Sequence, residues 1–307
     1  MQKQVWQWVG GVSGCIVSLG SSLTSSVIAP PVMARTPVPV QVAQAATTAE
    51  AAVNQGLQFV QQGKFPEAIA AFRQATQLDP RMAAAHYNLG LALRQQGQLQ
   101  AAASAFYQAT RADAKFALAY ANLGAALLEG NNLQQAREAL QLAVNLEPKL
   151  GLAHYNLGLV LEQQRDFTAA IGAFQTAAKL NPNAPEPPYH LGLAYLQLQK
   201  FPEARAAFEA ALKVSPNHTE SLYNLGSLYF QQGDLEAALQ AFRRSAQSNP
   251  SYANAYYAAG LVFLRQNKFA DAQKVLQYAK DLYTAQKNAA WAAKADQQLQ
   301  KAKASQS

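Results

Sequence analysis

The sequence predicts an all-α fold, a solenoid of stacked helix-turn-helix repeats closed by a C-terminal capping helix. Three observations carry that expectation. Gly56, Gly90, Gly124, Gly158, Gly192, Gly226 and Gly260 stand 34 residues apart without a slip. Twelve residues after each comes an alanine (Ala68, Ala102, Ala136, Ala170, Ala204, Ala238, Ala272), and four further on a large apolar residue (Phe72, Phe106, Leu140, Phe174, Phe208, Phe242, Leu276). Proline closes five of the units, at Pro80, Pro148, Pro182, Pro216 and Pro250. Seven units of 34 residues cover 49–286, and a fixed period of this length marks a repeat architecture.

Each element follows from these positions. With every unit numbered 1 to 34, the glycine falls at position 8. A helix turns about 100° per residue, so positions 4, 7, 8 and 11 share one face. Glycine inside a helix costs about 1 kcal/mol against alanine, and seven in register need a reason. Close approach of a second helix supplies one, with the alanine at position 20 as the expected neighbour. A polar turn such as Gln62-Gly63-Lys64 or Gln96-Gly97-Gln98 separates the two helices. The second helix ends where the residue before proline is pushed out of αR space. One such hairpin cannot bury its apolar face alone, so neighbours stack. Residues 287–307 carry Trp291, Ala295 and Leu299 at helical spacing among Lys and Gln. They read as a capping helix and tail with a solvated outer face.

Composition excludes several functions. Half of the 307 residues are apolar and 14% are charged, so the chain can bury a core. The net charge of +7 is lopsided: residues 265–307 hold eight Lys or Arg against three Asp, and the rest is nearly balanced. A uniformly basic nucleic-acid-binding protein is therefore not expected. Cys15 is the single cysteine and the four histidines are scattered, so no metal and no cofactor is expected. His86 and His154, both at position 4, read as satisfied core histidines. With no nucleophile–base pair and no phosphate loop in view, the chain does not read as an enzyme.

Residues 1–34 read differently. Lys3 is followed by an uncharged stretch from Val5 to Ala29, then by Pro30-Pro31 and the small-x-small pattern Val32-Met33-Ala34. This is the layout of a secretory signal, with 35–48 as a linker. An uncleaved membrane anchor is the alternative, and Val12-Ser13-Gly14-Cys15 resembles a lipobox. The expected location is extracytoplasmic: periplasm, lumen or secreted.

The pattern of Leu at 7, Gly at 8, Ala at 20, an aromatic at 24, Ala at 27 and Pro at 32 resembles the tetratricopeptide repeat (TPR). The resemblance covers 49–286; departures include Ser245 at position 27 and Ala114 and Thr284 at position 32. It implies a right-handed superhelix of antiparallel helix pairs around a concave groove, with positions 2, 5, 6, 9, 12 and 13 of the first helix on the inner face. Position 6 is Asn54, Asn88, Asn122, Asn156, His190 and Asn224, then Ala258. Position 5 holds Tyr87, Tyr155, Tyr189, Tyr223 and Tyr257. The asparagines resemble the amide ladder of TPR superhelices that grip peptide backbones, since an amide both donates and accepts. A purely structural role for them is the competing reading.

The same six positions hold Glu50, Glu129, Glu162, Glu186 and Glu220 against Arg94 and Arg265. The basic clamp by which some TPR domains hold a C-terminal carboxylate is missing. The expected function is an exported TPR scaffold or adaptor that binds peptide segments or partner helices in its groove. Those partners are expected to be apolar or basic proteins, not acidic ones. A membrane-tethered assembly or structural factor, touching the bilayer through its N-terminus or basic C-terminus, is the second expectation.

Overall fold

A computed structural model describes residues 48–305. The signal, anchor and lipobox expectations fall outside them. Fifteen helices follow one another in consecutive pairs, and no strand occurs among the described residues. They are α1 Ala49–Gln61, α2 Phe65–Leu78, α3 Ala83–Gln95, α4 Leu99–Ala112, α5 Ala117–Glu129, α6 Leu133–Leu146, α7 Gly151–Gln163 and α8 Phe167–Leu180. Then come α9 Glu186–Gln197, α10 Phe201–Val214, α11 Thr219–Gln232, α12 Leu235–Ser248, α13 Ala253–Arg265, α14 Phe269–Ala285 and α15 Ala289–Ala304. Odd helices open each unit and even helices close it. The fold is the expected all-helical solenoid.

The core runs along the pair interfaces. Position 24 supplies its largest members: Phe72, Phe106, Phe174, Phe208 and Phe242 are all buried, as are Leu140 and Leu276. The seven register glycines serve a close approach, but not to the alanine at position 20. A β-carbon on Gly158 would lie 2.5 Å from Phe174 Cε1 and 2.6 Å from its Cδ1. Gly192 faces Phe208 in the same way, and Gly260 faces Leu276. The position-24 side chain lies against bare backbone, where a β-carbon would collide with it.

The turn inside each hairpin has one geometry. Position 15 takes a positive φ in all seven units: Gly63 (72°), Gly97 (71°), Asn131 (59°), Arg165 (62°), Gln199 (56°), Gly233 (85°) and Asn267 (58°). The next residue donates its N–H back to the carbonyl of position 11, as Lys64 does to Phe59 and Asp166 to Leu161, both at 2.9 Å. That is the left-handed C-terminal cap of a helix, which favours glycine and then asparagine.

Second helices end where the chain turns extended. Asp79 has φ −135° and ψ 95° before Pro80. Asp113 has φ −136° and ψ 102° although Ala114 follows it. There Asp113 Oδ1 accepts the N–H of Lys115 at 2.9 Å, so the acidic side chain stops the helix without proline. Unit seven has neither device, and α14 runs for 17 residues where the other closing helices have 14. Ser245, the departure at position 27, is fully buried and donates to the carbonyl of Thr219 at 2.9 Å. The capping helix buries Ala295, Leu299 and Ala302.

Candidate functional site: the inner face of the first helices

Odd helices of consecutive units touch one another at several junctions, for example α5 with α7 and α7 with α9, whereas even helices splay apart. The odd helices therefore line the inner side of the curve. Position 5 places a row of half-buried rings there. Four of the five tyrosines pack on the position-24 ring of their own unit: Tyr87 on Phe106 at 5.8 Å, Tyr155 on Phe174 at 6.1 Å, Tyr189 on Phe208 at 6.1 Å and Tyr223 on Phe242 at 5.7 Å. Tyr87, Tyr189 and Tyr223 also meet the last residue of their unit, Phe116 at 4.9 Å, His218 at 5.0 Å and Tyr252 at 5.5 Å. These tyrosines are wall and core at once.

The row continues where the sequence reading ended it. Helical spacing groups Trp291 with Ala295 and Leu299 on one face of the cap, the face those two bury. Trp291 itself is instead 37% exposed, stacked on Tyr283 at 5.8 Å and edge-on to Tyr257 at 5.6 Å. Counted from 287, Trp291 is at position 5 of a truncated eighth unit, and Lys294 stands at position 8. No closing helix follows there among the described residues, so no glycine is needed. Lys294 Nζ instead lies 4.0 Å from the Trp291 ring centre.

Position 6 is less open than expected. Asn54 is exposed, Asn88, His190 and Asn224 are half-buried, and Asn122 and Asn156 are buried. Asn88 and Asn224 each donate to the carbonyl four residues back, Ala84 and Glu220, at 2.8 Å. Asn122 uses both donors, one on the Leu118 carbonyl at 2.9 Å and one on Tyr87 Oη at 3.2 Å. The Asn122 bond favours the ionised form of Tyr87, yet burial dominates and pushes that phenol up. Asn224 stands in the same relation to Tyr189. Asn122 thus stitches the third unit to the second and Asn224 the sixth to the fifth, while Asn88 bonds within its own helix and Asn54 stands exposed.

Charges on this face are largely matched at its N-terminal end. Arg94 is bonded to Glu129, with Nε at 3.0 Å from Oε1. Between them and Leu57, Leu91 and Asn88 lies a recess of about 780 Å³. Toward the C-terminus, Glu162 Oε2 is 2.8 Å from His190 Nδ1, and Arg265 donates to the Phe230 carbonyl at 3.1 Å. His86 and His154 bond the carbonyls of Pro80 and Pro148 through Nε2 at 2.9 Å, which ties α3 and α7 to the loops before them. A second cleft, of about 600 Å³, opens on the outer side between α4 and α6, where Tyr107 and Leu142 are exposed. Among the described residues no three His, Cys, Asp or Glu side chains come together to hold a metal.

A solenoid of helical hairpins with an aromatic inner rail belongs to the class of repeat scaffolds whose surfaces bind other proteins. The tetratricopeptide repeat family matches residues 53–117, 122–185 and 189–253, and the chain belongs to that family. Solved structures agree on the fold. A tetratricopeptide repeat protein from Parabacteroides merdae is 19% identical with a TM-score of 0.61, covering 80% of this chain and 98% of its own. The APC/C heterotetramer Cut9–Hcn1 gives 23% and 0.58, covering 70% of this chain and 43% of the matched one. YrrB, described as a TPR protein with an unusual peptide-binding site, gives 24% and 0.52, covering 61% and 97%. No curated protein matches the sequence.

Proposed function

We propose that the chain is an exported scaffold that holds segments of partner proteins in the groove lined by its first helices. The observation that carries this is the continuous inner rail. Aromatic rings from Tyr155 to Trp291 are fixed by packing beneath them and remain partly exposed, together with Leu159 and Leu193 at position 9. Rigid aromatic area with polar tips is what protein recognition uses most, because little side-chain freedom is lost on binding. The description of YrrB as peptide-binding supports the reading from outside this chain.

Affinity capture from an envelope extract tests it, with the wild-type chain beside a Leu159→Arg/Leu193→Arg variant. Partners held by the wild type should be lost by the variant while thermal unfolding stays unchanged. Equal capture by both would reject the groove.

Export rests on the uncharged stretch from Val5 to Ala29 and the Val32-Met33-Ala34 pattern. N-terminal sequencing of the mature protein tests it, and a start near Arg35 is expected, or near Ala46 if the small-residue run Ala45-Ala46 is the cleavage point instead. An intact N-terminus in a membrane fraction would favour the tethered assembly factor, which the length of the same stretch supports.

A further inference from the structure

The groove is not uniform along its length. Helices α7, α9 and α11 contain three glutamates, Glu162, Glu186 and Glu220, and no lysine or arginine. At the two ends the groove cations are already held. Arg94 is bonded to Glu129, and Arg265 is fixed on the Phe230 carbonyl with its guanidinium 5.4 Å from that ring. The middle of the groove is therefore negative.

Its carboxylates converge on aromatic rings. The His190 ring is stacked on Phe174 at 5.3 Å and meets Tyr155 and Tyr189 edge-on at 5.8 and 5.2 Å, while its Nδ1 holds Glu162. Tyr189 lies 5.0 Å from the His218 ring, and His218 Nε2 is 3.9 Å from Glu220 Oε2. Burial first, then Glu186 and Glu162, raises the Tyr155 phenol above its ordinary value. Burial, then Glu220 among others, raises that of Tyr189 to about 12. Glu162 thus acts on both hydroxyls, Glu186 on that of Tyr155 and Glu220 on that of Tyr189. Aromatic faces attract cations, and carboxylates within the same reach add a Coulombic pull. Leu159 and Leu193 supply apolar surface alongside.

We infer that this stretch of the groove takes a protein segment bearing lysine or arginine between apolar residues. The cationic head sits against Tyr155 and Tyr189, among Glu162, Glu186 and Glu220. The inference rests on the groove reading above and adds to it the sign and the place of the recognised charge. An acidic segment would meet three like charges and no cationic partner.

The experiment uses the full chain and three labelled peptides on one serine–valine framework, with lysine, glutamine or glutamate at every third position. Fluorescence anisotropy should show the lysine peptide binding about tenfold tighter than the glutamine peptide or better, with the glutamate peptide weakest. Raising the salt should shrink that advantage, because the charges face solvent. The Glu162→Gln/Glu186→Gln/Glu220→Gln variant should weaken the lysine peptide by about tenfold and leave the glutamine peptide within about twofold. Equal binding of lysine and glutamine peptides would overturn the inference and leave the groove reading standing. Failure of all three peptides to bind would remove both. A lysine preference that survives the triple variant would place the recognised charge elsewhere and overturn the assignment. Should the triple variant unfold, Glu186→Gln alone, on an exposed side chain, must still lower lysine-peptide affinity by about twofold or more.

Discussion

Asn122 and Tyr87, from consecutive units, meet across the junction of α3 and α5, with Asn122 Nδ2 3.2 Å from Tyr87 Oη and 2.9 Å from the Leu118 carbonyl. One amide closes its own helix turn and fastens the unit before it. Asn122 therefore has a structural job, whatever it does for a ligand.

Asn122→Ala should destabilise the array by about 1 kcal/mol. The lost bonds and the stranded tyrosine hydroxyl outweigh alanine's better helix propensity. Asn54→Ala, at an exposed site, should be neutral or slightly stabilising. Urea denaturation of both, with Tyr87→Phe and the Tyr87→Phe/Asn122→Ala double variant, checks this. Additive single effects would show that the pair does not interact.

Two glycines should answer an added methyl with opposite signs. Gly158→Ala drives a β-carbon into the Phe174 ring and should cost about 1–3 kcal/mol. Gly172→Ala meets nothing within 4 Å on the exposed side of α8 and should gain about 0.5–1 kcal/mol. Thermal unfolding of the two variants decides, and a stabilised Gly158→Ala would refute the ring-on-backbone contact.

Much of this architecture was legible in the sequence because packing repeats every 34 residues, and any position that must be small or large shows it. Four features lie beyond the repeat pattern. Small residues usually meet small ones, which points each glycine at the alanine at position 20; here the position-24 side chain does the job, a phenylalanine ring in five units and Leu140 or Leu276 in the other two. The left-handed turn at position 15 was masked by Arg165 and Gln199, though Gly63, Gly97 and Gly233 mark it. Helical spacing alone puts Trp291 in the cap core; extending the register by one more unit places it on the tyrosine rail. The burial of Asn122 and Asn156 could not be foreseen, since identical amides differ in exposure only through what neighbouring units lay over them.

The position-15 turn offers a stabilising change. Gln199 has φ 56° and Arg165 φ 62°, where a side chain costs about 1–2 kcal/mol. Gln199→Gly should gain about 0.5–1 kcal/mol after the entropy glycine adds to the unfolded chain is subtracted. A denaturation midpoint that falls would contradict the strain.

The tyrosine rail sets an alkaline limit. Burial raises the phenols of Tyr87, Tyr155, Tyr223, Tyr252, Tyr256, Tyr257 and Tyr283 as well as that of Tyr189, from the ordinary 10.0. Above pH 10.0 the unfolded chain has lost phenolic protons that the folded chain keeps, so stability is full below that value and falls as pH climbs through the folded ones, about 12 for Tyr189. Denaturant titrations should show the folded state weakening from about pH 10 upward. The part of the tyrosinate absorbance that these eight phenols contribute should rise together with unfolding, not ahead of it. Full ionisation with helicity intact would contradict the burial of the rail.

The most direct test of groove binding is site-specific photocrosslinking. A benzophenone amino acid is placed at Leu193, on the inner face of α9, and in a separate protein at Tyr107, exposed on the outer side of α4. Illumination in envelope extract should yield discrete adducts from the Leu193 position, reduced by excess lysine peptide, and none above background from the Tyr107 position. Adducts formed at Tyr107 and absent at Leu193 would place the partner on the outer face and contradict groove binding.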